Sequence, residues 1–405
     1  MRRVLQLVAL LCLVSMACLI RNKWSSLRRS SAVTYATRAP LWAAEQDNGR
    51  DNSSKYTSGV DIHNRHDAEH ALEGCLIYTM LGESFEYQPY IWMSLRQARL
   101  FNPDVSIYLI SSATAFDNAE TQSMLDVLTI VPVDYSTLTH PLLDRFRAAF
   151  FVQGVMSPDG NEKFNQYTSE RLFAVFTLMH KLDLDNVIHL ENDNLIYARI
   201  GDLIHAMQLC DVRFAVPFPT VGQAVVGSAY FKDAQSVMPF VRFATEVFEM
   251  GQTKAVEFMG TEWINDMSLL GRFYKDNSMS FHVSELPSKL YANRQKFATV
   301  KGDEDVFLSP LTFREMHPHS CIAEALPNTI FDSCVLGQFF GGTYGEPSVP
   351  HWEESRQLDP RHMKLWWKQS LTASAVPIRV PFIDNIRILS LHVHSKQLTD
   401  FVSSL

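Results

Sequence analysis

Two carboxylates follow an apolar run in the middle of the sequence, in the segment VIHLENDN at residues 187–194. Glu191 and Asp193 are two positions apart, so their side chains point the same way if the backbone stays extended. Hard oxygen ligands that converge in this way suit Mg²⁺ or Mn²⁺ held jointly with a diphosphate. The alternative is a solvated acidic turn whose backbone is shaped by Asn192 or Asn194.

A second candidate group lies near the end of the sequence, in the segment LHVHSK at residues 391–396. In a β-strand, His392, His394 and Lys396 share one face. A neutral imidazole can ligate a transition metal and a lysine can neutralise a phosphate, so this group suits a site for a metal and a phosphate. The alternative is a polar, half-exposed edge strand.

Three further charged residues stand in sequence contexts that suit a role in chemistry. Arg171 follows Ser169 and Glu170 at a predicted helix start, from which it can contact a nucleotide phosphate or pair with a carboxylate. Asp266 lies in a largely apolar sequence and is either a group that orients an acceptor hydroxyl or stabilises a cationic transition state, or a helix N-cap. Asp332 precedes an apolar run and is either an N-cap or a second carboxylate near the site.

The composition of the 405 residues limits the class of protein. Hydrophobic residues make up 46% and aromatic residues 11%, which excludes a disordered chain. The formal net charge of −8 argues against a nucleic-acid binder, which usually needs a basic face. The mean hydropathy of −0.06 excludes a polytopic membrane protein.

Strand-like and helix-like segments alternate from about Leu72 onward. The predicted strands are Cys75–Met80, Val105–Ile110, Leu128–Val133, Val187–Leu190 and Val225–Phe231, and the predicted helices are Tyr90–Phe101, Ser169–Leu182 and one from about Ala234. This order predicts an α/β fold with a mostly parallel central sheet flanked by helices. Ligands of such sheets bind at the carboxyl ends of the strands, which is where Glu191 and Asp193 fall.

The N-terminus predicts a membrane segment, because an uncharged run extends from Val4 to Ile20. We interpret the chain as a signal anchor at 1–23, a flexible stem at 24–71 and a folded domain at 72–405, with a cleaved signal peptide as the alternative. Either interpretation places the domain in the lumen of the secretory pathway or outside the cell. A short span favours the thinner membranes of the early secretory pathway.

A lumenal or extracellular domain can form disulfides. Of the six cysteines, Cys75, Cys210, Cys321 and Cys334 lie in the predicted folded part. Four thiols allow three pairings, and the closeness of Cys321 and Cys334 in the sequence favours that pair. The alternative is that all four are buried small hydrophobic residues. The stem holds one glycosylation sequon, Asn52-Ser53-Ser54.

Taken in their order, these residues resemble the GT-A glycosyltransferases, and most closely the family-8-like group, over roughly residues 74–396. The segment Leu190–Asp193 resembles the family's DxD motif, and Ser169–Leu172 resembles its arginine-bearing helix. The segment Gly227–Phe231 resembles its small-residue strand beside the sugar. Asp266 falls where that family has an Asp-Gln pair, and the closing cluster resembles the family's C-terminal histidine and lysine.

The resemblance implies a GT-A-like fold, related to the Rossmann fold, and a metal-dependent transferase. Such an enzyme moves a sugar from a nucleotide-sugar donor to a glycan, protein or lipid acceptor, with retention of anomeric configuration. The implied site residues are Glu191, Asp193 and one of His392 and His394 for Mn²⁺ or Mg²⁺, then Arg171, Lys396, Thr79 and Gly82 for the donor, then Asp266 or Asp332 facing the reacting sugar.

The arrangement of anchor, stem and domain is typical of type II glycosyltransferases of the Golgi or ER membrane, and secretion is the alternative. Two other functions stay open from the sequence. One is a non-catalytic GT-A-like protein of the secretory pathway that binds a glycan or scaffolds active transferases. The other is a nucleotidyltransferase, which needs a glycine-rich nucleotide loop near the first strand, where the sequence has only Leu81-Gly82-Glu83. No nucleic-acid partner is expected.

Overall fold

The structure is a computed structural model, and its described part belongs to one compact unit, Asp67–Leu405. It describes residues 74–82, 90–151, 162–218, 223–262, 264–281, 283–288, 294–295, 306–307, 320–332, 336–337, 365–371, 375–393 and 398–403. The predicted anchor, stem and sequon lie outside these residues and stay predictions. Within the described part, no helix is both long enough and apolar enough to cross a membrane.

A seven-stranded sheet forms the centre of the domain, in the order β3-β2-β1-β4-β7-β6-β8. Its strands are β1 (Cys75–Met80), β2 (Ser106–Ser111), β3 (Ile130–Asp134), β4 (Val187–Glu191), β6 (Phe214–Pro217), β7 (Ser228–Phe231) and β8 (Val283–Leu286). The neighbours β3, β2, β1 and β4 run parallel, β7 runs antiparallel to β4 and β6, and β8 is parallel to β6. The predicted α/β class with a mostly parallel sheet is confirmed.

Helices cover both faces of this sheet. The described helices are Ile91–Phe101, Ala113–Phe116, Ala119–Leu128, Pro141–Ala149, Glu162–Leu182, Ile200–Leu209, Ala234–Glu249, Gln252–Met259, Asp266–Phe281 and Cys321–Ala325. Alternate residues of β1 enter different apolar clusters: Ile77 packs with Phe173 and Phe240 on one face, and Tyr78 packs with Leu95 on the other. A strand buried on both faces reads as an unbroken apolar run, which is why β1 is evident in the sequence.

A second, smaller sheet stands beside the first and contains β5, β11, β12, β13 and β14. These strands are Asn194–Ile196, Thr329–Phe331, Leu365–Leu371, Pro377–Ile383 and Ile386–His392. Strand β14 is central: it pairs antiparallel with β13 and β5 and parallel with β11. Two short strands, β9 (Arg294–Gln295) and β10 (Val306–Phe307), pair with each other.

Three predicted elements have different limits in the structure. The predicted strand from Leu128 begins instead at Ile130, because the preceding helix ends at Thr129 in the left-handed conformation (φ 52°). The helix predicted from Ser169 begins at Glu162, so Arg171 lies inside it and not in its first turn. The strand predicted from Val225 begins at Ser228.

The predicted Cys321–Cys334 disulfide is wrong. Cys321 pairs with Cys210 across 111 positions of sequence. The residue Cys210 follows the helix Ile200–Leu209, Cys321 begins the helix Cys321–Ala325, and the two helices pack together. Cys75 is a free, buried thiol, which agrees with the alternative of a small hydrophobic residue for that position. Cys334 lies outside the described residues.

Candidate functional site

The predicted acidic pair lies in a tight turn that connects the two sheets. Strand β4 of the large sheet ends at Glu191, and β5 of the small sheet begins at Asn194. The carbonyl oxygen of Gly227 accepts hydrogen bonds from the Glu191 backbone N–H (3.1 Å) and from Asn194 Nδ2 (2.7 Å). Ser94 Oγ donates to the Asn192 carbonyl at 2.8 Å. The turn is therefore fixed from both sides at the carboxyl end of a parallel strand.

Strand β14 brings His392 to this turn. In the antiparallel pairing of β14 with β5, His392 lies opposite Asn194. The next residue, Val393, donates its backbone N–H to the Asp193 carbonyl at 3.0 Å. These backbone contacts fix the end of β14 beside Glu191 and Asp193.

The structure brings Glu191, Asp193 and His392 into one cluster. The Nε2 atom of His392 lies 3.0 Å from Glu191 Oε2 and 3.0 Å from Asp193 Oδ1. One ligand atom from each residue lies within 4.8 Å of the others. The side chains are shielded from solvent, at 16%, 2% and 2% relative exposure in the order of the sequence. Two carboxylate oxygens and one imidazole nitrogen fit a divalent cation such as Mn²⁺, with further positions left to a substrate or water.

Arg171 joins this cluster to Asp266. Its guanidinium pairs through Nη1 with Glu191 Oε1 and through Nη2 with Asp266 Oδ2, the latter at 3.0 Å. Its Nε donates to the Thr168 carbonyl within the same helix at 2.9 Å. Burial raises the pKa of Glu191, but the charges of Arg171 and His392 outweigh burial and lower it well below its usual range. The sequence left a phosphate or a carboxylate as the partner of Arg171, and the structure shows the carboxylates.

Asp266 begins the helix Asp266–Phe281 and is almost fully buried. The N-cap is the preceding Asn265, whose Oδ1 accepts from the Ser268 N–H at 3.0 Å, so the N-cap alternative for Asp266 is wrong. Burial raises the pKa of Asp266 to about 6, with a further rise from Glu191 and an opposing effect of Arg171. The protonation midpoint of this carboxyl group therefore lies near pH 6, so it is mostly ionised at pH 7.

Asp332 is fully buried and is bonded to the backbone at the end of β14. Its carboxylate accepts backbone N–H groups from Leu336 (2.9 Å), Gly337 (2.7 Å) and His392 (3.1 Å). Burial raises its pKa and these hydrogen bonds oppose the rise. The contacts hold the end of β14 in place, which gives Asp332 a positioning role towards His392.

The two candidate donor residues lie at and just after the end of the first strand. Thr79 is paired with Glu191 in the β1–β4 register, and its Oγ1 lies 3.1 Å from His189 Nε2. Gly82 has φ +77°, and a Cβ there would lie 2.1 Å from the Tyr167 ring. Only glycine fits this backbone conformation and this close approach. His394 and Lys396 lie outside the described residues. Of the two candidate histidine ligands, the structure therefore describes only His392.

Two contributors to the site were not identified as such in the sequence. His189 stands two residues before Glu191 on the same face of β4, and burial, reinforced by Arg171, lowers its pKa to about 3, so it is neutral. Gly227 packs against the His392 ring, since a Cβ at position 227 would lie 2.5 Å from Nδ1. Spacing along β4 points to His189, whereas no local signal reveals the contact of Gly227 with His392.

No protein-family model matches the chain, and no curated protein matches it in sequence. Solved structures that resemble it include mouse xyloside xylosyltransferase 1 in its apo form, with a TM-score of 0.38 and 12% identity over 52% of this chain and 85% of that one. The galactosyltransferase LgtC, in complex with donor and acceptor sugar analogues, has a TM-score of 0.31 and 14% identity over 52% of this chain and 73% of that one. A cytidylyltransferase from Leptospira borgpetersenii has a TM-score of 0.32 and 9% identity over 61% of this chain and 84% of that one. At these scores and identities, no activity or substrate passes from those proteins to this chain.

Proposed function

We propose that the chain is a metal-dependent glycosyltransferase that moves a sugar from a nucleotide-sugar donor to a glycan, protein or lipid acceptor. The observation that supports this function best is the meeting of Glu191, Asp193 and His392 at the carboxyl end of β4. This edge of a mostly parallel sheet is the one at which ligands bind. The three ligands are of the types that hold a divalent cation together with a diphosphate.

Glu191, Asp193 and His392 would hold the cation, which when bound supplies Lewis-acid stabilisation of a departing nucleoside diphosphate. Arg171 pairs with the Glu191 carboxylate in this structure and provides a permanent positive charge beside the site. Asp266, shielded from water and held by Arg171, would face the reacting sugar. Thr79 and Gly82 would line the donor side. Retention of configuration is part of this proposal.

The setting of the enzyme is also proposed. The uncharged run from Val4 to Ile20 supports a signal anchor, and the stem and domain would then lie in the lumen of the ER or Golgi. The disulfide between Cys210 and Cys321 is consistent with an oxidising compartment. The acceptor would accordingly be a glycan or glycoconjugate that passes through the secretory pathway.

The test is calorimetric titration of the full-length protein with UDP, GDP and CDP, each with Mn²⁺ and with a chelator. We expect at least one nucleotide to bind only with Mn²⁺, and Asp193→Ala to weaken that binding by about 100-fold or more. The matched control is Asp211→Asn, which removes an exposed acid paired only with Lys232 among its ion pairs in the described residues. Unchanged nucleotide binding in Asp193→Ala would refute the assignment.

Activity is measured separately as Mn²⁺-dependent hydrolysis of nucleotide sugars by the same protein. Turnover of one donor, lost in Asp193→Ala and kept in Asp211→Asn, is the expected result. Nucleotide binding without turnover of any donor would favour the non-catalytic, glycan-binding or scaffolding alternative.

A further inference from the structure

The Glu191 carboxylate is shared between two different neighbours. Its Oε1 pairs with Arg171 Nη1, whereas its Oε2 lies 3.0 Å from His392 Nε2. One oxygen therefore faces a permanent cation, and the other faces the nitrogen with which it would ligate a metal. Arg171 and a bound metal ion would therefore compete for the same negative charge of Glu191.

Arg171 is itself enclosed by acids. Its side chain is 14% exposed and stands between Glu191 and Asp266, which is 5% exposed. Two shielded carboxylates that contact one guanidinium repel each other and lose their hydration, so both depend on that positive charge. Arg171 supplies that charge by a contact to each of them.

The guanidinium cannot be deprotonated, so this positive charge is present with or without a metal. A permanent charge next to a cation site repels a divalent ion directly. It also offsets part of the negative charge of Glu191, so that Glu191 attracts a metal ion less strongly. Asp193 has a carboxylate oxygen 3.0 Å from His392, and its charge also interacts with that of Arg171.

We propose that Arg171 is the resident counter-ion of the cluster, and that Glu191 exchanges Arg171 for the divalent cation when the site is loaded. This inference rests on the proposed function and adds a regulatory element to it. Arg171 holds the acids together before loading, keeps cation affinity low in the absence of donor, and is released from Glu191 to face the diphosphate. Binding of the cation together with the donor is thereby favoured over binding of the cation alone.

The test measures Mn²⁺ binding to the full-length protein without nucleotide at pH 8. Binding is measured by calorimetry and by the electron paramagnetic resonance signal of free Mn²⁺. Removing the charge in Arg171→Gln should tighten Mn²⁺ binding by about tenfold or more. Arg171→Lys keeps the charge and should stay within about threefold of the wild type. Arg145→Gln, which removes an exposed arginine paired with Glu249, is the matched control and should not differ from the wild type.

Thermal unfolding keeps the inference testable if Arg171→Gln is poorly stable. The variant should melt at a lower temperature than the wild type without metal, and Mn²⁺ should raise its melting temperature by more than it raises that of the wild type. If Mn²⁺ binds Arg171→Gln no more tightly than the wild type, the counter-ion role is overturned and the proposed function stands. The same conclusion follows if Arg171→Lys gains as much Mn²⁺ affinity as Arg171→Gln. Absence of Mn²⁺ binding in both the wild type and Arg171→Gln, with and without nucleotide, would overturn both this inference and the proposed function.

Discussion

The Nε2 atom of His392 lies 3.0 Å from Asp193 Oδ1, although about two hundred residues separate them in the chain. Backbone pairing produces this contact: Val393 donates to the Asp193 carbonyl, and β14 pairs with β5 directly after the acidic turn. The position of the imidazole is therefore set by strand register, which is a stiffer constraint than a loop would provide.

Removal of the imidazole is expected to weaken the proposed cation site while the fold remains. His392→Ala should weaken Mn²⁺ binding by at least about tenfold, because one of three ligands is lost and two carboxylates remain. The measurement is Mn²⁺ calorimetry together with far-UV circular dichroism. His205→Ala changes an exposed histidine on the helix Ile200–Leu209 and should bind Mn²⁺ like the wild type. Equal affinities of the two variants would exclude His392 as a ligand.

Gly227 offers a test of the same site without changing any ligand. In Gly227→Ala the new Cβ would lie 2.5 Å from His392 Nδ1, so the ring has to shift from its position beside the carboxylates. We expect Mn²⁺ binding to weaken by about tenfold or more, with thermal stability lowered as well. Gly201→Ala is the matched control, since nothing lies within 4 Å of its Cβ and alanine favours the helix. Normal Mn²⁺ affinity in Gly227→Ala would show that the contact is not restrictive.

Glu170 is predicted to make folding depend on pH. It is 1% exposed, its contacts to Arg147 are long at 3.4 Å, and burial raises its pKa from 4.5 to about 7. As pH rises between these values, the unfolded chain releases this proton while the folded chain keeps it, so Glu170 lowers stability, fully so above about pH 7. Glu170→Gln should therefore gain stability relative to the wild type from pH 4.5 to 7, by up to roughly 3 kcal/mol.

The measurement is urea unfolding of both proteins at pH 5 and at pH 8. The advantage of Glu170→Gln should be clearly larger at pH 8. A difference between the two proteins that is the same at both pH values would show that Glu170 titrates normally in the folded state.

The disulfide should contribute to stability without contributing to the site. Cys210→Ser and Cys321→Ser, singly or together, are expected to lower the free energy of unfolding by about 2–5 kcal/mol, because the bond closes a long loop in the unfolded chain. Mn²⁺ affinity of the folded variants should stay as in the wild type. Peptide mapping under non-reducing conditions checks the pairing, and a Cys321–Cys334 peptide would contradict it.

The central sheet and the acidic pair were predictable from local sequence. Strands β1 and β4 are short, largely apolar runs, and β4 ends at Glu191. A parallel sheet places its ligand-binding residues at such carboxyl ends. The limit of β3 was missed because Thr129, and not a glycine, takes the left-handed conformation that ends the preceding helix.

The partners of the site residues were not predictable from spacing. Arg171 reaches Asp266 only because its helix and the start of the helix Asp266–Phe281 converge on the same edge of the sheet. The pairing of Cys210 with Cys321 likewise depends on two helices that are far apart in the sequence. Contacts of this kind come from tertiary packing, on which residue type and spacing carry little information.

The pairing of β14 with β5 also has a consequence for biosynthesis. A ribosome-bound chain can fold β1 to β4 early, yet it lacks the third ligand until His392 has left the exit tunnel. The Tyr197 hydroxyl donates to the Phe401 carbonyl, and this hydrogen bond holds the residues that follow β14. A polypeptide that lacks β14 would consequently offer only two of the three ligands proposed for the cation.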